Sequence, residues 1–176
     1  MDRLETDRLL LRRPRLRDAA ELLAFLGDPE AMRYTQCLSS LREVRRHLAA
    51  HDRQRGRLGY GPWTVLTKTD GRIVGFGGLY LDPFDPGWGT ELGYHFAPEA
   101  WGKGFASELA RASLDLAWGQ LGLREIWAFA HPDNTASRRV LEKAGFEVQR
   151  FVDSMHRNLF RIADPRSQHG GERCTC

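Results

Sequence analysis

Apolar residues recur at Leu16, Ala19, Leu22, Leu23 and Leu26, the spacing that gives a helix one buried stripe. Pro14 precedes that stripe and Gly27 follows it, so the helix is closed at both ends. A second helix starts at Ser40, whose spacing to Glu43 is that of a capping box, and Leu41, Val44 and Leu48 carry its apolar side. "DRLLLRR", residues 7–13, reads as a first strand. "YGPWTVLTK" and "RIVGFGGLYL" read as two more, and Asp70-Gly71 between them predicts a two-residue hairpin link. After the proline- and glycine-rich loop "DPFDPGWGT", residues 91–96 alternate, with Leu92, Tyr94 and Phe96 on one face and Glu91, Gly93 and His95 on the other. A helix from about residue 104 follows, with Phe105, Leu109, Ala112 and Leu116 as its apolar stripe. Then come a strand at 124–131, a short helix with Asp133 and Asn134 as cap types and Gly145 at its end, and strands near 146–152 and 157–163.

The order β-α-α-β-β-β-α-β-α-β-β makes one mixed α/β domain over residues 1–164, with no repeat and no linker to divide it. The polar, glycine-containing residues 165–176 are expected to be a disordered tail. A chain of 176 residues can bury a sizeable core. A net charge of +3 is too small to argue for nucleic acid, which is disfavoured as a partner. Arg42, Arg45, Arg46 and Arg53 line the second helix and read first as a solvated face. No apolar run reaches the length of a membrane span, and the N-terminus has no signal-peptide core, so no membrane partner is expected. Cys37, Cys174 and Cys176 make no disulfide framework, which points to a reducing cytoplasm. Cys174-Thr-Cys176 with His169 lacks a fourth metal ligand, so the tail thiols are read as free and no metal is expected.

The chemistry concentrates in "PEAWGKGFASELA", residues 98–110. Strand 91–96, the helix after it and strand 124–131 form a β-α-β unit, whose strands should run parallel. Ligands in such units bind off the carboxyl ends of the strands, where Gly102-Lys103-Gly104 lies. Its backbone N–H groups and the positive end of the following helix suit phosphate oxygens. No glycine stands at residue 97, so the loop is not the P-loop of nucleotide triphosphatases. Position 107 is Ser, and Glu125 opens its strand instead of ending it, so the dinucleotide fingerprint also fits poorly.

"PEAWGKGFASELARASLDLAW" resembles the coenzyme A loop and helix of the GNAT superfamily of N-acetyltransferases, whose pattern is [QR]-x-x-G-x-[GA]. Gly104 and Ala106 fit its last two places, and Trp101 stands where Gln or Arg is usual. The tryptophan is similar to the Rim-type branch, which includes ribosomal-protein N-terminal acetyltransferases. "ETDRLLLRR", "GDPEAMRY", "ELGYHFAPEAWGKGFASE" and "HPDNTASRRVLEKAGF" all resemble that branch, in its order, over roughly residues 4–163.

The resemblance implies a mostly antiparallel mixed sheet with flanking helices. Its fourth and fifth strands, 91–96 and 124–131, splay around a central parallel crossover, and the pantetheine arm of acetyl-CoA lies in the gap. It further implies that the backbone from Tyr94 to Phe96 holds that arm and donates to the acetyl carbonyl, an effect worth about 3 kcal/mol in other enzymes. The pyrophosphate would sit on the amides of Trp101, Gly102, Lys103, Gly104, Phe105 and Ala106. Asn134 matches the family asparagine that contacts the arm. The tyrosine that many members use to protonate the thiolate is Leu141 here, while Ser137 matches a Rim-type serine proposed for that role. Glu91 opens the fourth strand, where several members place a catalytic glutamate, and His95 on the same face is the second candidate base. His131 ends the fifth strand on the ligand side and is a further candidate.

Acetyl-CoA and a primary amine, either a protein N-terminus or a small molecule, are the expected partners, and a homodimer is left open. An α-amine has a pKa of about 7.7–8.0 against about 10.4 for lysine, so a site without a strong base favours the α-amine. Two other classes compete: a non-catalytic acyl-CoA sensor, allowed by the missing tyrosine, and an RNA- or ribosome-binding module using the arginines of residues 42–57.

Overall fold

The computed structural model describes residues 1–169. Its strands are β1 (Arg3–Glu5), β2 (Leu9–Arg12), β3 (Trp63–Thr67), β4 (Ile73–Leu81), β5 (Thr90–Phe96), β6 (Glu125–Ala130), β7 (Glu147–Val152) and β8 (Arg157–Ala163). They form one sheet in the order β1-β2-β3-β4-β5-β6-β8-β7. The helices are α1 (Ala19–Leu26), α2 (Leu41–Leu58), α3 (Phe105–Leu116) and α4 (Thr135–Lys143). Alternation along the strands divides the core between the two faces of the sheet. Leu79, Leu92, Ile126, Ala128 and Phe160 pack with Ala110 and Leu114 of α3 and Leu141 of α4. Phe76 packs on the opposite face with Leu22, Phe25 and Leu26 of α1 and Val44 and Leu48 of α2.

Two local expectations need correction. The strand expected at 7–13 is shorter, and Arg3–Glu5 adds a strand that pairs with it antiparallel. Three residues with two opposite charges are too short a run to display alternation. The turn at Asp70-Gly71 is also wider than two residues. Thr67 and Arg72 close it, with Thr67 N–H donating to the Arg72 carbonyl at 3.0 Å and Gly71 N–H to the Thr67 carbonyl at 3.0 Å. The Asp70 carboxylate lies inside the turn and accepts from the Thr67 hydroxyl and from Arg72 N–H.

The capping spacing at Ser40 behaves as expected on one side: its hydroxyl accepts from Glu43 N–H at 3.2 Å. Glu43 reaches back one residue further, to Ser39 N–H at 2.6 Å. Arg42, Arg45, Arg46 and Arg53 of α2 are exposed, as a solvated face requires. Arg55 is buried instead, donating to the Gly61 and Pro62 carbonyls at 2.7 Å each, with its guanidinium 4.3 Å from the centre of the Trp63 ring.

β5 and β6 run parallel and share a single register pair, Glu91 with Trp127. On its other edge β5 pairs with β4 along its whole length, from Leu81–Thr90 to Gly75–Phe96. Beyond Glu91, therefore, β5 has no partner strand on the β6 side. The parting predicted for strands 91–96 and 124–131 is present, and it opens toward the start of α3.

The entry to α1 is fixed by a buried ion pair. Arg12 of β2 donates to both Asp18 oxygens at 2.7 and 2.9 Å, and Asp18 also accepts from Arg15 N–H and the Thr64 hydroxyl. Burial opposes its charge, but these donors prevail and hold the Asp18 pKa below the usual carboxylate range. Asp18→Asn leaves the part-buried Arg12 charge without its partner and should cost about 2–3 kcal/mol at neutral pH, below the loss for a fully buried pair. Because the folded pKa is depressed, that stabilisation exists above about pH 4 and fades as pH falls through the folded value. Denaturant melts of both proteins from pH 7 to pH 3 should show the gap closing; a constant gap would refute the pairing as its cause.

Candidate active site

The connection between β5 and α3 turns on two glycines. Gly102 and Gly104 have φ of 72° and 79°, left-handed values that suit glycine. A Cβ on Gly102 would meet no atom within 4 Å, so that side of the turn is open. The N–H groups of Gly102, Lys103 and Gly104 have no acceptor among the described residues, and α3 starts at once with its own unpaired N–H groups. The loop is tied on both sides. Trp101 donates its indole N–H to the Phe96 carbonyl at 2.9 Å. Arg8 donates to the Lys103 carbonyl at 2.8 Å and to the Glu108 carboxylate at 2.7 Å. The Thr6 hydroxyl and Arg8 N–H donate to the other Glu108 oxygen at 2.5 and 2.8 Å. Phe105 turns its ring toward the core beneath the Arg8 guanidinium, so only its backbone belongs to the turn.

From this cradle a cleft of about 750 Å³ runs through the gap between β5 and β6 to the opposite face of the sheet. Tyr94, Phe96, Trp101, Gly102, Gly104, Phe105, Ala106, Asn134 and Ser137 of the expected cofactor set line it, and Lys103 does not. Ser107 lines it as well; the sequence marked that position only as a mismatch to another motif. Asn134 caps α4, its side chain accepting from Ser137 N–H at 3.1 Å. The hydroxyls of Ser137 and Tyr94 lie 3.1 Å apart, a hydrogen bond across the gap from β5 to α4. Burial pushes the Tyr94 phenol up to about 12, against the pull of Ser137, so it keeps its proton at neutral pH.

On the far face the cleft widens into an aromatic chamber. α2 presents His47 and His51, four residues apart and therefore on one side, with ring centres 4.5 Å from each other. Phe84 from the β4–β5 loop stacks on His47 at 5.6 Å, Tyr80 meets His51 edge-on at 5.3 Å, and Trp88 meets Phe129 edge-on at 5.2 Å. Tyr80 can cross the floor because position 93 is glycine: a Cβ there would lie 2.5 Å from the Tyr80 hydroxyl. Glu91, His95, Asp82, Asp85 and Arg157 supply the polar groups. His131 stands at the rim, stacked on Tyr34 at 5.1 Å. Among these, His47, His51, Tyr80, Asp82, Asp85 and Arg157 were not singled out from the sequence as site residues. Only the four-residue interval of His47 and His51 carried a readable signal.

The electrostatics of the chamber separate the two candidate bases. Burial, reinforced by the Asp82 and Asp85 charges and opposed by Arg157, pushes Glu91 up to about 8. Burial, with the His47 and Arg157 charges, lowers His95 to about 4, and burial likewise lowers His51 to about 3. The histidines are therefore neutral and weakly basic, while Glu91 is poised near the pKa of an α-amine. Among the described residues, no group of three His, Cys, Asp or Glu side chains could hold a metal ion. Cys174 and Cys176 lie outside the described residues.

A glycine turn with unpaired N–H groups at one mouth, an aromatic chamber at the other and an opened sheet between them form one continuous cleft. The chain matches the acetyltransferase (GNAT) domain family over residues 8–147. It is 33% identical over 151 residues to YkkB of Bacillus subtilis, covering 85% of this chain and 88% of that one. It is 28% identical over 171 residues to the N-acetyltransferase p20 of Bacillus licheniformis, covering 93% of each. The structure of Mycobacterium smegmatis RimJ in complex with CoA-disulfide shares the fold, with a TM-score of 0.73 at 22% identity, covering 90% of this chain and 83% of that one. The chain belongs to the GNAT family and is an acetyl-CoA-dependent N-acetyltransferase.

Proposed function

We propose that the protein moves the acetyl group of acetyl-CoA directly to a primary amine, with both substrates bound at once in the cleft. The observation that carries this reading is Glu91: a buried carboxylate at the one point where β5 and β6 touch, with its pKa raised to about 8. The pyrophosphate lies on the amides from Trp101 to Ala106, and the pantetheine arm follows β5 past Tyr94 to Phe96, with Asn134 beside it. A backbone N–H of that stretch faces the developing oxyanion. Glu91 accepts the proton of the incoming amine, directly or through one water. The amine nitrogen forms its bond to the thioester carbonyl carbon, the C–S bond breaks, and the Ser137 hydroxyl gives its proton to the departing sulfur. Tyr94, 3.1 Å from Ser137, passes its phenolic proton to Ser137 as Ser137 protonates the sulfur, and solvent entering the cleft after product release takes the proton from Glu91 and restores that of Tyr94. This pair occupies the role left open by Leu141.

Acetyl-CoA should raise the melting temperature, because a ligand bound only by the folded state shifts unfolding by mass action, by about 2.7 kcal/mol at a hundred times Kd. NAD should not. Gly104→Val puts a β-branched residue at φ of 79°, a strain of about 1–3 kcal/mol that the free turn sheds by leaving the binding conformation, so restoring it on binding should lower affinity about tenfold to a hundredfold. Lys103→Ala should matter less. Calorimetric titration ranks the two, and a reversed order would mean that the backbone is not the anchor.

Glu91→Gln should lower kcat/KM by about 10²–10⁴-fold at neutral pH, the range for a positioned base. The wild-type value should climb as pH rises through about 8, where Glu91 ionises, and the gap should narrow once the amine deprotonates unaided. A second readout has the opposite sign. With its folded pKa raised, Glu91 costs stability increasingly from about pH 4 up to about pH 8, so the glutamine variant should become relatively more stable over that window. Wild-type activity in the variant at pH 7 would move the role to His95.

Ser137→Ala should reduce kcat with acetyl-CoA by roughly 10²-fold. The loss should shrink with an aryl thioester, whose thiolate leaves without a proton. Equal losses with both donors would remove Ser137 from proton transfer.

A further inference from the structure

Of the cations that line the cleft, Arg33, Arg46, Arg139, Lys143 and Arg157, Arg157 is the one whose charge is felt at Glu91, and catalysis as proposed above does not use it. Arg157 opens β8, lines the cleft, and makes one hydrogen bond, from Nη2 to the Tyr34 carbonyl at 3.2 Å. Among the described residues it has no carboxylate within ion-pair distance. Arg157 reaches the chamber from its β8 side, and its charge is felt at Glu91, Tyr80 and His95, where burial is the larger influence. Asp82 and Asp85 stand near Glu91 on the opposite, β4–β5 side. The chamber is thus polarised, with acids on the β4–β5 side of Glu91 and a guanidinium on the β8 side, and the rings of Phe84, Trp88, Tyr80 and His47 also line it.

We propose that the acceptor is a small α-amino carboxylate with an apolar or aromatic side chain, its amine at Glu91 and its carboxylate on Arg157. This rests on the acetyl-transfer reading and narrows its acceptor. Asp82, Asp85 and Glu91 attract the ammonium form until Glu91 takes the proton. The fork of N–H donors on a guanidinium matches the two oxygens of a carboxylate, the pairing for which arginine is suited. A peptide N-terminus would place an uncharged amide opposite Arg157, and a simple amine would leave it with nothing. Either would forgo one charge-assisted contact.

Free-thiol release from acetyl-CoA tests this with matched acceptors: phenylalanine and leucine, their amides, the corresponding decarboxylated amines, and short peptides beginning with the same residues. The free acids should exceed the amides in kcat/KM by about tenfold to a hundredfold, the worth of a hydrogen-bonded charge. In Arg157→Gln that preference should collapse toward one, and Arg157→Lys should keep part of it. The acetyl-CoA-induced rise in melting temperature checks that each variant folds. Amides, amines or peptides used as well as the acids would overturn the inference and leave acetyl transfer standing. A preference for the acid that survives Arg157→Gln would overturn the role of Arg157. Turnover of no amine at all would overturn both this inference and the reading beneath it.

Discussion

The parting of β5 from β6 is the constraint on which the rest of the structure depends. A parallel pair joined through α3 would ordinarily continue its ladder, and here it stops after Glu91 and Trp127. The backbone edge left open must be answered by something that can hydrogen-bond to it. A ligand arm with amide groups would meet that requirement, and the gap and the glycine turn open into the same cleft. Glu91 lies at the single point of strand contact, between the glycine-turn mouth of the cleft and its aromatic chamber. The Tyr94–Ser137 hydrogen bond crosses the gap just beyond, where the strands no longer hold each other.

Much of this was legible in the chain. The helix stripes, the strand at 91–96 with its two faces, and the glycines at 102 and 104 follow from local periodicity and turn chemistry. The faces assigned to Leu92 and Glu91 decide which residues enter the core and which enter the chamber, and both are placed as alternation predicts. The acceptor chamber was not legible, because its walls come from α2, the β4–β5 loop and the first residue of β8. His47 and Arg157 are far apart in sequence and share no local pattern. Arg55 shows the same limit from the other side, since nothing local separates it from the exposed arginines of its helix. Arg3–Glu5 was missed because so short a strand gains its order from pairing with β2 rather than from its own composition.

The chamber also explains why one carboxylate among several differs. Asp18 and Glu108 are held ionised by arginines within hydrogen-bond distance. Glu91 has aromatic rings, histidines and other acids in its cleft, and among the described residues no cation lies within ion-pair distance of it. Carboxylates of one chain are thereby tuned in opposite directions. The first two serve the scaffold, and Glu91 carries a stability penalty of the kind found where a proton must move.

The bonds from Thr6 and Arg8 to Glu108 and to the Lys103 carbonyl have a consequence for the entropy of binding. Glycine turns are costly to order, because the free chain has so many other conformations to lose. Here that cost is met during folding, by the N-terminal hairpin gripping the first turn of α3 from outside the cleft. An anion bound there, as proposed above, would find the amides already aimed and give up little of its contact energy to arrange them. The first ten residues thus stiffen the glycine turn from outside the cleft, and on that reading the tightness of the enzyme toward its donor would be partly a property of its amino-terminal edge.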